Sequence, residues 1–161
     1  MAFVWVNPLK SRFHLFEASF RARRPPQIRA LEMPARSDVL SELGSGASVF
    51  HDYFRAWSQS DAGGTSRAVF SALADAIRSG RDRRTGGAPQ LVGLYRKGSA
   101  RPIGVVWEGR RWLFGMEVRD EGSLINVTWH NALFEIADPV ALARHERAQL
   151  QPRPRNAGED T

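Results

Sequence analysis

The chain has 161 residues, of which 42% are hydrophobic and 25% charged, and it contains no cysteine. That length and balance fit one globular domain that builds its core without staples, and they exclude a wholly disordered chain, thiolate metal sites and cysteine nucleophiles. The formal net charge is +6 with a sequence pI of about 10.9, and of 23 basic residues only Lys10 and Lys97 are lysines. Arginine makes bidentate contacts with phosphate and carboxylate, so the bias fits an anionic partner. A GC-rich coding background would produce the same Arg, Ala and Gly usage, and that reading stays open beside it.

No apolar run approaches the roughly 20 residues of a membrane span, so no membrane partner is expected. The opening MAFVWVNPLKSRF has no basic residue ahead of its apolar run, unlike a secretory signal. The expected setting is the bacterial cytoplasm, with signal-less export left open.

In chain order, Phe3 and Trp5 before Asn7-Pro8 read as a short strand, and Phe13 to Phe20 as a second. Residues 21–36 hold Pro25, Pro26 and Pro34 with five arginines and read as an extended surface arm. Ser37 or Asp38 can cap a short helix that stops at Gly44. Ser48 can cap the next, whose Val49, Phe50, Tyr53, Phe54 and Trp57 recur at helical spacing as core. Thr65 can cap a third, with Val69, Phe70, Leu73 and Ile77 inward and Gly80 as its stop.

From Gln90 the period becomes two, and QLVGLYR, PIGVVWE and RRWLFGMEV read as an antiparallel meander. With a fourth run, Ser123 to Val127, as a candidate extension, the expected meander has three to four strands. Helices are then expected at Trp129–Ile136 and from Asp138-Pro139 to about Gln149, followed by a disordered tail. The fold class is α+β. The expected organisation is an N-terminal strand-and-arm segment at 1–36, a core at 37–150 joined by strands from 1–20, and a tail at 151–161.

A four-residue loop at 97–100 would pair Leu94 with Ile103 and Gly93 with Gly104. A two-residue loop at Glu108-Gly109 would pair Trp107 with Arg110 and Val105 with Trp112. One face then carries Val92, Leu94, Ile103, Val105, Trp107, Trp112, Phe114 and Met116 as a continuous apolar surface. The other carries three glycines with Tyr95, Arg111 and Glu117. Glycine weakens a strand, so something must approach closely there: a packed segment, or a ligand in a shallow groove.

Catalytic signatures are absent: there is no Walker-type loop, no GxSxG, no HExxH, no metal-ligand spacing among the four histidines, and no cofactor motif. The candidates for chemistry are Tyr95, Arg111 and Glu117 on the glycine face, and His130, which stands near Asn131 and Glu135 and can act as acid or base. His51 lies off the aromatic stripe and reads as exposed.

Basic charge is better organised. Residues 10–36 hold seven basic and two acidic side chains, residues 78–84 four and one, and residues 96–111 five and one, whereas residues 37–77 are acidic with five against two. The candidate polyanion-binding set is Arg21, Arg23 and Arg24 in the arm, Arg81, Arg83 and Arg84 after the third helix, and Arg96, Arg101 and Arg110 at the hairpin ends. Separately solvated loops are the alternative reading.

The order of strand, helices and antiparallel meander over residues 13–118 is similar in layout to two groups of small basic ribonucleases, the secreted microbial ribonucleases and the ribosome-dependent toxins of toxin–antitoxin pairs. That resemblance implies Arg, His, Tyr or Glu projecting from the sheet, for which Tyr95, Arg111 and Glu117 are the candidates. The expected role is binding of RNA, DNA or another polyanion. A phosphodiester-cleaving enzyme and a protein-binding adaptor or immunity-type protein are the alternatives.

Overall fold

The computed structural model describes residues 2–7, 12–95, 100–120 and 126–154. They form an α+β fold of two helices and antiparallel sheets. Strands β1 (Ala2–Asn7), β2 (Arg12–Ser19) and β3 (Gln27–Leu31) make an antiparallel three-stranded sheet in that order. Residues 21–36 are therefore not simply an extended arm. Pro25 and Pro26 lie in the turn, where no ladder donor is needed, and pairing resumes at Ser19 opposite Gln27. β2 is the central strand, and its Leu15 and Ala18 are buried.

The helix expected at 37–44 does not form. Asp38 turns its carboxylate onto the next backbone N–H, Val39, at 2.7 Å, and the segment stays irregular as far as Gly44, whose φ is +110°. Helix α1 (Ala47–Ser58) follows, with Gly46 rather than a side chain at its cap. Its aromatic stripe is core: Trp57 is fully buried, and Phe50, Tyr53 and Phe54 pack around it with Ala68 and Ala72. Helix α2 (Ser66–Ser79) starts where Thr65 accepts the Ala68 N–H and stops at Gly80, which is left-handed at φ +63°. Ala68, Phe70, Ala72, Ala74, Asp75 and Ala76 are all buried, so α2 is the central helix.

The main sheet comprises β4 (Leu91–Gly93), β5 (Arg101–Trp107), β6 (Arg110–Leu113), β7 (Met116–Glu117) and β8 (Thr128–His130). Ile103 pairs with both Leu91 and Thr128, and Val105 with both Trp112 and His130. A strand has two edges, so β8 runs parallel along one edge of β5 while β4 and β6 share the other, end to end. This differs from a simple meander, in which β4 and β6 would flank β5. β5 is consequently covered on both faces. Val105 and Trp107 pack on Phe70 and Ala74 of α2, and Val106 packs with Trp129 and Ala137 on the other side.

The Glu108-Gly109 turn forms as expected, both residues at positive φ, with Trp107 opposite Arg110. The first hairpin does not. Leu91, not Leu94, faces Ile103, and Gly93 faces Arg101. The offset is three residues, an odd number, so β4 turns over relative to β5 and Val92 is left exposed. Gly93 and Gly104 are not partners. Gly104 is instead paired with Trp129, whose indole covers it. RRWLFGMEV is also not one strand: Phe114 and Gly115, at φ +51° and +76°, turn the chain from β6 into β7.

The expected C-terminal helices are replaced by strands and turns. After β8, Asn131 Oδ1 accepts the N–H groups of Leu133 and Glu135, and Phe134 takes φ +58°, which returns Ile136 to pair with His130. Asp138 does accept two backbone N–H groups, from Val140 and Ala141. Leu142 then takes φ +54°, so the turn closes a small hairpin of β9 (Ala137–Asp138) and β10 (Ala143–Arg144) instead of starting a helix. The expected strand at 123–127 lies mostly outside the described residues. Residues 151–154 are not loose: the Gln151 N–H, the Pro152 carbonyl and the Arg153 guanidinium all have partners in the body of the fold.

A Cβ on Gly104 would lie 2.4–2.6 Å from three ring atoms of Trp129. Gly104→Val is therefore expected to destabilise the protein by about 1–3 kcal/mol despite valine's strand preference, measured by urea denaturation. An unchanged or raised midpoint would contradict the packing described.

Candidate functional site

The four candidates for chemistry stand apart. Arg111 donates from Nε to the Val118 carbonyl and from Nη2 to the Arg119 carbonyl, tying β6 to the chain beyond β7. Glu117 receives Arg119 at 3.3 Å and Arg110 at 3.5 Å. By register Arg111 shares the face of Val106, while Glu117 is opposite Trp112 on the other face. Tyr95 lies in the loop after β4, against Gly93, with the Arg101 guanidinium 5.5 Å from its ring centre. No acid, base and guanidinium converge among them.

His130 is turned away from chemistry as well. Its ring stacks on Phe134 at 4.5 Å, and Nδ1 bonds the Phe134 carbonyl at 3.2 Å, which makes Nδ1 the protonated nitrogen of a neutral ring. Burial pushes its pKa below the ordinary histidine value, partly opposed by that carbonyl. Asn131 and Glu135 do come together: Asn131 donates from Nδ2 to Glu135 at 2.6 Å, and the other oxygen of this buried carboxylate accepts the Gln151 N–H at 2.7 Å. His51 is exposed and lies 3.4 Å from Glu42.

The nine arginines of the basic set separate by environment. Arg81 is paired with Asp52 at 3.0 Å and Arg110 with Glu117, while Arg101 covers Tyr95. Arg83 and Arg84 are exposed on the turn after α2, where the Arg84 N–H is held by Asp82. Hydrogen bonds from Thr85 and Ser45 hold the Asp82 carboxyl below its ordinary pKa. Arg96 lies outside the described residues. Arg21, Arg23 and Arg24 occupy the tip between β2 and β3, a turn closed by the Arg24 N–H on the Arg21 carbonyl with Arg23 at φ +60°. All three side chains are exposed, and none has an ion partner among the described residues. Phe20, 66% exposed, stands at the base of the tip. Lower on the ribbon, Arg29 is neutralised by Glu17 at 2.8 Å.

A second feature was not foreseen from the sequence. Between α1, α2 and the irregular segment 33–44 lies a cavity of about 680 Å³, walled by apolar groups such as Val49, Val69, Leu73, Leu40 and Leu43. Its one signal in the sequence is the apolar content of segment 33–44, with Met33, Val39, Leu40 and Leu43. Among the described residues no group of three His, Asp or Glu side chains is placed to hold a metal, and no helix is long and apolar enough to cross a membrane. No protein-family model matches the chain, and neither a curated protein nor a solved structure does.

The His130 environment sets a pH dependence. Between its lowered native pKa and about 6.5, the unfolded chain holds a proton that the folded chain does not, so this histidine's contribution makes stability rise with pH. His130→Gln removes that contribution. The stability of the wild type relative to this variant is expected to increase between about pH 5 and pH 7 in parallel denaturant titrations. A constant or opposite difference would show that His130 is not buried neutral.

Proposed function

We propose that this chain binds nucleic acid through the tip of the β2–β3 ribbon. The observation that carries the reading is the unpaired state of Arg21, Arg23 and Arg24, three exposed guanidinium groups within four residues, while Arg81, Arg101, Arg110 and Arg111 are engaged by carboxylates, a ring or carbonyls. Unpaired guanidinium groups displace condensed counterions from phosphates with no internal ion pair to break first. The exposed ring of Phe20 beside them offers a stacking surface for an unpaired base. Binding rather than cleavage is favoured because Tyr95, Arg111, Glu117 and His130 each serve a separate local contact.

The test is the salt dependence of binding to a fluorescent single-stranded RNA, followed by anisotropy between about 25 and 200 mM salt, a range over which phosphate-driven affinity falls steeply. Replacing Arg21, Arg23 and Arg24 together with Gln is expected to weaken binding and to reduce the slope of log K against log salt by about 2 for a single strand. Phe20→Ala is expected to weaken binding without changing the slope. No binding by the wild type at low salt, or an unchanged slope in the triple variant, would overturn the proposal.

A further inference from the structure

The cavity beneath segment 33–44 has the volume of a small-molecule site, within the range of roughly 300–1,000 Å³ that such sites occupy. Its inner wall is helical, formed by Val69 and Leu73 one helical turn apart on α2 and by Val49 of α1. Its outer wall is a strap with no helix or strand. The strap is pinned at one end where the Ser37 and Ser66 hydroxyls meet at 3.4 Å, and at the other where Ser45 donates to Asp82 at 2.7 Å. Between the pins, Leu40 and Leu43 line the cavity, yet Leu43 stays 66% exposed. Well-packed interiors do not leave aliphatic walls unfilled at this scale, because each wall forfeits its dispersion contacts and its burial from water.

The partners of the charged side chains select the occupant. Four charged residues line the cavity: Arg36, Asp38, Glu42 and Asp82. The three carboxylates are engaged, Asp38 by the Val39 N–H, Glu42 by His51, and Asp82 by Ser45, Thr85 and the Arg84 N–H. Arg36 alone among them has no hydrogen bond or ion pair among the described residues, and its aliphatic stem rests over Gly64 at the corner between α1 and α2. Arg36 is thus the one charged side chain of the described lining whose hydrogen-bonding groups are all free, and an aliphatic chamber with a free guanidinium complements a molecule with a long apolar body and one anionic end. We propose that this cavity binds a single-chain fatty acid, with the acyl chain between the α2 wall and the strap and the carboxylate on Arg36. This site is separate from the basic tip and does not depend on the nucleic-acid reading.

The experiment is a fluorescence titration of the full chain with 11-(dansylamino)undecanoic acid, displaced by oleate and, in parallel, by oleyl alcohol. Saturable one-to-one binding is expected, with oleate displacing the probe at about tenfold lower concentration than the alcohol, because only oleate forms the charge-assisted bond. Arg36→Gln is expected to remove that preference and leave the alcohol's affinity unchanged. Leu43→Glu, at an exposed position where folding is not at risk, is expected to weaken oleate binding by about tenfold or more by placing a charge against the acyl chain. Leu73→Trp, which fills the inner wall, is expected to do the same, with circular dichroism reporting its fold. The Arg21, Arg23 and Arg24 triple variant is expected to bind oleate as the wild type does. Absence of saturable binding, or wild-type affinity in Leu43→Glu, would overturn the site. Equal affinity for acid and alcohol, or an acid preference that survives Arg36→Gln, would overturn the assignment of an anionic ligand held by Arg36.

Discussion

The fold turns on one buried carboxylate. The Asp75 side chain is 4% exposed, on the central helix α2, and a lone carboxylate there would be strongly unfavourable. It is satisfied from three directions. Trp57 of α1 donates its indole N–H at 2.9 Å, Arg153 reaches it at 3.0 Å, and Arg78 stands one turn further along α2 at 3.5 Å. Asp75 thus orients the fully buried Trp57 ring, sets α1 against α2 and draws the C-terminal segment onto the helix pair. Arg67 works beside it, with its guanidinium 5.2 Å from the Trp57 ring centre and donating to the carbonyls of Leu133 and Pro152. Glu135 completes the anchorage through the Gln151 N–H. Two buried acids and Arg67 therefore give residues 151–153 a seat.

That arrangement explains how one residue type divides its labour. Arg67, Arg78, Arg111 and Arg153 use planar donors on carbonyls and carboxylates, and Arg78 also lies 4.6 Å over the Trp107 ring centre. A lysine would give each site a point charge without the fork or the stacking face. The acidic excess of residues 37–77 contains Asp75, the carboxylate that Arg78 and Arg153 share, whereas the ribbon tip is rich in arginine and lacks acids. Net charge alone would not have separated the two groups. The partners of each guanidinium do.

The helical half was legible in the sequence because its signals are local. Thr65 and Gly80 bracket α2, and the spacing of Phe50, Phe54 and Trp57 places the buried face of α1. The Glu108-Gly109 turn was equally local. The rest depended on contacts that no short window holds. The β4–β5 register was set by a connection longer than the four residues assumed, which reversed a strand. Phe114 reads as strand core yet sits in a turn at positive φ, where a bulky apolar residue is unexpected. Asp138 caps backbone N–H groups in a hairpin as readily as in a helix, so its signal was real but its element was not. The parallel pairing of β8 with β5 and the docking of residue 153 on residue 75 are long-range. Of the sites, the clustering of Arg21, Arg23 and Arg24 was visible as a run of charge. The dispersal of Tyr95, Arg111 and Glu117 and the cavity under the strap were not.

The coupling between Asp75 and Arg153 tests this account most directly. Asp75→Asn keeps an acceptor for the Trp57 indole and removes the charge, and Arg153→Gln removes the cation, so a double-mutant cycle in guanidinium chloride isolates their interaction. Because Arg153 is partly exposed, a coupling of about 1 kcal/mol is expected, the double variant losing less than the sum of the single losses. Strictly additive losses would mean that the C-terminal segment is not held by the buried carboxylate, and would contradict the fold's dependence on it.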